Sequence, residues 1–393
     1  MATAQRLMVL VPDRITDILI KGEYQPNYYN PGELFDEVHI VTTTDDRPDL
    51  SALQRTVGRA RLHVHNVPEQ PLLAAEDWQR WWKKPLRDWA STGVELARRI
   101  KPQLMRVHGA DWNGYLASRI RKKLGVPYVV SLHINPDVNP VRRYIGEDLT
   151  EAQQRHNAFF EYIESAGLRN ADLVMPVYEP IVPYLHRLGV ERIEVCYNIL
   201  NGQYLRAKEG YQPHQPFRVV SVGRLIKEKN PDHLIEAVAG LPDVELTVVG
   251  DGPERQALEA LTRSLGADAR VRFEPAIPND RLCQMLPEFD LFAIHTEYWE
   301  LNKSLLEALL TGLPVVLNRR TGAAVPELDG AGITRFVDNT TPGYQSAIRE
   351  LVHDDAAREA LGRRARAHAA ARWSPEVTER KVVEIYGRYM RTA

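Results

Sequence analysis

The sequence predicts an α/β protein of two domains, each built on a parallel sheet. Three observations carry this. The chain has 393 residues, long for one core and comfortable for two doubly wound ones. Short apolar runs alternate with amphipathic stretches of helical length from end to end, the pattern of βαβ units. That alternation halts over 201–216, a polar stretch containing Pro213 and Pro216, and restarts at Phe217. The expected divisions are 1–200, a linker at 201–216, and 217–375.

In the first half, strands are expected at Leu7–Val11, Glu37–Thr42, Leu62–Val67, Leu104–Val107, Tyr128–Leu132, Leu173–Val177 and Ile193–Tyr197. The second half offers Phe217–Val222, Glu245–Val249, Arg270–Glu274, Leu291–Ile294, Pro314–Leu317 and Gly332–Val337. Most are continuous apolar runs, as strands buried on both faces require. Ser374–Met390 spaces Val377, Val382, Val383, Ile385 and Tyr386 as a helix does. Glu76–Ile100 carries Trp78, Trp82, Leu86 and Trp89 as a stripe that packs on a sheet, although Pro85 and Gly93 interrupt a long amphipathic face. A membrane-surface helix is the other reading of that tryptophan- and lysine-rich segment.

Composition excludes several classes. A net charge of -2 gives no global pull toward nucleic acid or an anionic membrane. Cys196 and Cys283 fall in separate units, so neither a disulfide framework nor a metal cluster is indicated. Asp45-Asp46 and Asp354-Asp355 read as turn and capping residues. The apolar run Leu7–Val11 is too short for a signal peptide or a span, and no other run reaches about 18 residues. A soluble cytoplasmic protein is expected, with membrane association not favoured and oligomeric state open.

Two segments carry the chemistry. In Val219–Ala237, VVSVGRLIKEKNPDHLIEA, an apolar strand enters a tight turn at Gly223. Asn230 is placed to cap a helix with Pro231 in its first position. Arg224 and Lys229 are thereby delivered to the carboxyl edge of a sheet, where open α/β sheets bind ligands. A guanidinium fork and an ammonium point charge suit a diphosphate. The second segment, Tyr298–Leu317, runs from a loop through a helix to another strand. Asn302 can cap this helix, leaving N–H groups around Lys303, Ser304 and Leu305 as an anion site. Glu307, one turn deeper, suits the vicinal diol of a ribose.

Arg224, Lys229 and Glu307 in this order resemble the donor-binding domain of retaining GT-B glycosyltransferases, and most nearly family 4. The resemblance covers nearly the whole chain. It includes Lys101–Gly109 with the helix Gly114–Leu124, Gly125–His133, Ala171–Val177 with Tyr178 in place of a serine, and Ile193–Asn198. It continues through Val271–Pro278 and Gly322–Glu327. It implies two Rossmann-like domains with parallel sheets facing across a cleft, and a crossing helix, 376–393, that returns to the first domain. It also implies transfer from a nucleotide-diphosphate sugar with retention, and no obligatory metal or other cofactor.

The same resemblance assigns residues. Gly223, Arg224, Lys229, Asn302, Lys303, Ser304, Leu305 and Glu307 would hold the donor, with the backbone near Ile277 on the base. His133, at a strand end, would reach the donor sugar and the reaction centre beside Arg224 and Lys229. The acceptor, a small molecule or glycan, would fall to Asp13, Arg14, Tyr28, Tyr29, His108 and Asn135. The chain departs from the family pattern in two places. Trp299 stands where a glutamate facing the sugar is expected, with Glu300 in the place of a glycine; Glu297 or Glu300 could supply that carboxylate, or Trp299 could stack on the sugar. The paired-glycine loop after the first strand is replaced by the aromatic, polar Pro12–Gly32. An epimerase or phosphorylase of this fold, and a non-catalytic nucleotide-sugar-binding protein, are the alternatives.

Overall fold

The computed structural model describes residues 4–20, 25–69, 82–138, 142–297, 301–320 and 325–390. They divide into two compact units, Met1–Tyr197 with Glu379–Ala393, and Asn198–Thr378.

The first unit holds a six-stranded sheet of β1 (Arg6–Val11), β2 (Glu37–Thr42), β3 (Arg61–Asn66), β4 (Leu104–His108), β5 (Tyr128–Leu132) and β6 (Leu173–Pro176). Its order is β3-β2-β1-β4-β5-β6, with every pairing parallel. The helices are α1 (Ile15–Ile20), α2 (Leu50–Leu53), α3 (Lys83–Ile100), α4 (Trp112–Leu124), α5 (Glu151–Arg169) and α6 (Val182–Arg187). Leu7, Met8, Val9 and Leu10 are fully buried, because helices cover both faces of a parallel sheet.

The expected strand at Ile193–Tyr197 is corrected. Glu194 and Cys196 donate to Val174 and Pro176 carbonyls of β6, but the ladder is one isolated bridge, Val174 to Ile193. Only Cys196 of this segment is buried, so little apolar area holds it flat to the sheet. Pro85 and Gly93 do not interrupt α3. Pro85 lies in its first turn, where no intrahelical N–H is needed. At Gly93 a Cβ would come 2.5 Å from Leu116, so glycine permits the close crossing of α3 and α4. Trp89 packs edge-on against Trp112 (5.2 Å) and Trp82 against Phe159 (5.4 Å), which makes the tryptophan stripe a packing face. Trp78 lies outside the described residues.

The second unit repeats the plan. Its strands are β7 (Phe217–Val222), β8 (Val244–Val249), β9 (Val271–Glu274), β10 (Leu291–Ile294), β11 (Val315–Asn318) and β12 (Arg335–Val337). They run parallel in the order β12-β11-β10-β7-β8-β9, which is the first sheet's order read from the other edge. Helices α7 (Asp232–Ala239), α8 (Arg255–Ser264), α9 (Asn279–Met285), α10 (Lys303–Thr311), α11 (Thr341–His353) and α12 (Asp355–Trp373) surround it. Val219, Leu234, Ile235, Leu246, Tyr344 and Ile348 form the centre of its core. Each such side chain contributes about 1.5–3 kcal/mol by leaving water.

The stretch 201–216, expected as a linker, is part of this unit and is held to it. Lys208 Nζ donates to the Phe289 carbonyl (2.7 Å), and the Tyr211 hydroxyl donates to that of Gly312 (2.8 Å). The fully buried Arg358 donates to the Tyr211 carbonyl (2.8 Å). Its polar residues serve buried partners, which is why polarity alone misread it. Helix α13 (Pro375–Tyr389) begins in the second unit and belongs to the first from Glu379. There Val382, Ile385 and Tyr386 are buried, and the Tyr386 hydroxyl accepts from Arg106 (3.0 Å). No helix among the described residues is long and apolar enough to cross a membrane.

Candidate functional site

In the second unit, β7 and β10 are neighbours whose following chains leave on opposite sides, the switch point at which such sheets open a crevice. The chain after β7, Gly223–Asn230, is pinned from two directions. On one side Gly223 donates to Val249 and Leu225 to Asp251. The loop after β8 approaches so closely that a Cβ on Gly250 would lie 1.9 Å from the Gly223 carbonyl oxygen. One on Gly252 would lie 2.2 Å from that of Leu225. On the other side the Glu297 N–H donates to Glu228 (2.8 Å), and His295 Nδ1 lies 2.7 Å from the Asn230 carbonyl oxygen. This fixes the backbone that carries Arg224, which is exposed, and Lys229, which is half-buried.

Asn230 does not cap α7. Its side chain turns to Asp232 (3.0 Å), and the helix begins at Asp232, one residue later than expected. Asn302 does cap α10, its Oδ1 accepting from the Leu305 N–H (2.9 Å). That engages Leu305, whose N–H was expected to meet a phosphate; the helix terminus is left with Lys303 and Ser304 as its leading residues. The Ser304 hydroxyl donates to the Val222 carbonyl (3.2 Å), so the first turn of α10 is tied to the end of β7.

Glu307 is no surface residue. It is 1 % exposed, and its Oε1 accepts from Asn279 Nδ2 (2.7 Å). Burial first, and then the Glu307 carboxylate, push the nearby Cys283 thiol up. Asn279 opens α9, directly after the loop bearing the half-buried Ile277, so this bond ties Glu307 to the segment that follows that loop. Gly250, Gly252 and Asn279 were missed in the sequence. The signal for the glycines was present, in Gly-Asp-Gly directly after an apolar strand. Trp299 and Glu300 lie outside the described residues.

In the first unit the expected acceptor residues, taken with His133 of the expected reaction centre, separate into two groups. Tyr28, Tyr29, His108 and His133 converge: the His108 ring is 5.5 Å from Tyr28, 5.3 Å from Tyr29 and 5.9 Å from His133, the last stacked. The structure anchors this cluster at the β1–β4 crossover. Asn113 Nδ2 donates to the carbonyls of both Leu10 and His108, and the Tyr178 hydroxyl donates to that of His133 (3.0 Å). Asn135 Oδ1 accepts from the Asp137 N–H in its own turn, Arg14 lies 3.8 Å from Asp46, and Asp13 is exposed. Glu69, just beyond β3, is a further group the sequence did not single out. Burial, then the Asp111 charge, raise its carboxyl to about 8, against the opposing pull of Thr43 and Arg142.

Two family models match the chain. One described as "Glycosyl transferase 4-like domain" matches residues 32–198, and one described as "Glycosyl transferases group 1" matches residues 206–368. The chain belongs to the GT-B glycosyltransferases of the family 4 type. Among curated relatives, the lipopolysaccharide core biosynthesis glycosyltransferase LpsE of Rhizobium meliloti (strain 1021) is 34% identical over 158 residues, 40% of this chain and 46% of that protein. A sulfoquinovosyl transferase of Arabidopsis thaliana is 27% identical over 354 residues, 85% of this chain and 64% of that protein. The chain thus spans less than two thirds of either relative's length. Among solved structures, HepE of Anabaena in complex with UDP and glucose superposes with a TM-score of 0.71 at 16% identity, over 98% of this chain and 99% of that one. The two parallel six-stranded sheets of the present chain, with their surrounding helices, are the GT-B architecture.

Proposed function

We propose that this family 4 protein transfers a sugar from a nucleotide-diphosphate donor to an acceptor hydroxyl, with retention at the anomeric carbon and without an obligatory metal. The observation that carries this reading is the arrangement at the β7–β10 crossover. A pinned cationic loop with Arg224 and Lys229 is tied through Ser304 to the start of α10, and the buried Glu307 lies one turn inside. Arg224 and Lys229 take up charge as it builds on the departing diphosphate, and the terminus at Lys303-Ser304 adds its dipole. Glu307, steadied by Asn279, accepts from the ribose, and the backbone around Ile277 flanks the base. A solved neighbour that holds UDP and glucose supports a nucleotide-sugar donor.

In the first unit, the acceptor is assigned to the aromatic cluster of Tyr28, Tyr29 and His108, beside which His133 stacks. In same-face transfer the attacking hydroxyl is assisted by the leaving phosphate, so the chain need supply no carboxylate nucleophile. The test is a panel of nucleotide-diphosphate sugars offered with candidate acceptors. Release of the nucleoside diphosphate and the anomeric configuration of the product are both read. Transfer with retention is expected. Epimerised free sugar, or binding without turnover across the panel, would overturn the proposal.

A further inference from the structure

We propose that Arg106 holds an oxyanion, a phosphate or carboxylate group carried by the acceptor; the assignment rests on the acceptor reading given above for the Tyr28, Tyr29 and His108 cluster. Arg106 is the third residue of β4, a strand buried along its whole length, and is itself 9 % exposed. Two residues further on, the strand ends at His108. Side chains two apart on a strand share a face, about 7 Å from each other along the chain. Arg106 therefore stands one pleat behind His108 on the same side of the sheet.

A guanidinium so enclosed calls for an anion, and the described residues give it none. Its one hydrogen bond among them runs from Nη1 to the Tyr386 hydroxyl (3.0 Å), whose ring it also faces at 5.8 Å. Burial pushes the Tyr386 phenol up against the pull of Arg106, with Cys196 and Tyr28 adding to the rise, so this partner stays a neutral hydroxyl. Burial likewise pushes the Cys196 thiol up against the pull of Arg106 and Lys381, so the sulfur is no thiolate. Glu194, the carboxylate that also acts on Cys196, is engaged by Lys381 (2.9 Å) and Arg388 (2.6 Å). A buried charge without a partner is destabilising, and a bound oxyanion would offset that.

The part of the guanidinium that lacks bonds has the shape that receives two oxygens. With Nη1 turned to Tyr386, Nε and Nη2 remain, the pair whose N–H bonds run side by side along one edge of the plane. Nε is buried without a partner, while Nη2, also unbonded among the described residues, keeps some open surface. Such an edge makes paired contacts with a carboxylate or a phosphate, stronger than neutral hydrogen bonds and fixed in direction. Tyr28 joins this edge to the acceptor cluster, since it acts on Tyr386 and its ring is 5.5 Å from His108. An acceptor held here would set its oxyanion on Arg106 and its hydroxyl among the rings. Arg106 thus selects acceptors that carry both groups.

The experiment follows the melting temperature of the full chain as inorganic phosphate, or acetate in a parallel series, is added at constant ionic strength. Neither donor nor turnover is needed, so the two anions decide even where no transfer is found. At least one of them should raise the melting temperature of the wild type, and still do so in Arg224→Ala, where the donor loop is broken. The rise should vanish in Arg106→Met, whose apolar chain is of similar length. Circular dichroism establishes that this variant folds; should it not, Arg106→Lys decides, since it keeps the charge without the fork and should bind the anion at least about 10-fold more weakly. With an active donor, acceptors matched except for a phosphate or carboxylate are then compared. Arg106→Met should raise KM for the anionic acceptor at least about 10-fold and leave that for the neutral one unchanged. A wild type that neither anion stabilises, a rise that survives in the folded variant, or equal losses on both acceptors overturns the proposal.

Discussion

Glu307→Gln separates recognition of the ribose from support of the fold. The native carboxylate is 1 % exposed, and one oxygen accepts from Asn279 at 2.7 Å. Glutamine has the same shape, and its carbonyl oxygen can still accept that bond. The second position changes from an anionic acceptor to an N–H donor, which cannot receive a ribose hydroxyl. A hydrogen bond to a charged group contributes about 1.5–3 kcal/mol. Loss of one therefore weakens nucleotide affinity by about 10- to 150-fold. Folding should hold or improve, since the change removes a buried charge. Calorimetry with nucleoside diphosphates alone is the assay, because sugar and acceptor then play no part. Asn279→Ala is the companion variant: it frees the carboxylate to turn and should weaken binding less. Unchanged affinity in a folded Glu307→Gln would refute the ribose assignment.

Further outcomes follow from other parts of the structure. Arg224→Ala and Lys229→Ala should each lower turnover by about 100-fold or more while the melting temperature stays near wild type, since both act on transition-state charge; wild-type rates would sink the donor loop. Gly250→Ala should cost about 3 kcal/mol or more, because its Cβ would lie 1.9 Å from a backbone oxygen; a denaturant midpoint equal to wild type would show that the loop yields freely. Glu69, with its carboxyl raised to about 8, binds a proton in the folded state that an ordinary carboxylate, near 4.5, has lost. Its contribution is full below about 4.5 and is lost as pH rises through about 8, so Glu69→Gln should gain on the wild type in stability from pH 5 to 9; parallel stability curves would contradict this. Trp299→Ala and Glu300→Gln should differ across hexose, deoxyhexose and pentose donors, with Glu300→Gln suffering the larger loss on hexoses. Loss confined to Trp299→Ala would instead put the indole against the sugar.

Much of the fold was legible because buried parallel strands are written as continuous apolar runs. Glu37–Thr42, Tyr128–Leu132, Phe217–Val222 and Leu291–Ile294 have the bounds read from sequence. The failures have physical causes. Ile193–Tyr197 has strand composition but buries too little to join the ladder. Pro85 and Gly93, expected to interrupt a long amphipathic face, both fall within the single helix α3, one in its first turn and one under Leu116. At the candidate site, the placement of Arg224 and Lys229 after β7 and of Asn302 and Glu307 at α10 was visible because it follows from local order: strand, turn, cap, helix. Asn279, Gly250 and Glu69 were not, because what matters at each is a neighbour distant in sequence.

Glu297 shows how the structure narrows an ambiguity that the sequence leaves open. Two nearby glutamates could replace the carboxylate missing at Trp299. Glu297 Oε1 lies 2.6 Å from His295 Nε2, and its N–H is donated to Glu228. His295 is itself held by the Asn230 carbonyl at 2.7 Å. To reach a sugar, Glu297 would give up its contact with His295, an imidazole that is 6 % exposed and whose Nε2 also lies 3.1 Å from Asn339 Nδ2. Its backbone N–H also belongs to the contacts that pin the loop carrying Arg224 and Lys229. Glu297 therefore serves the donor loop from behind. Within the proposed function, the search for a carboxylate facing the sugar passes to Glu300.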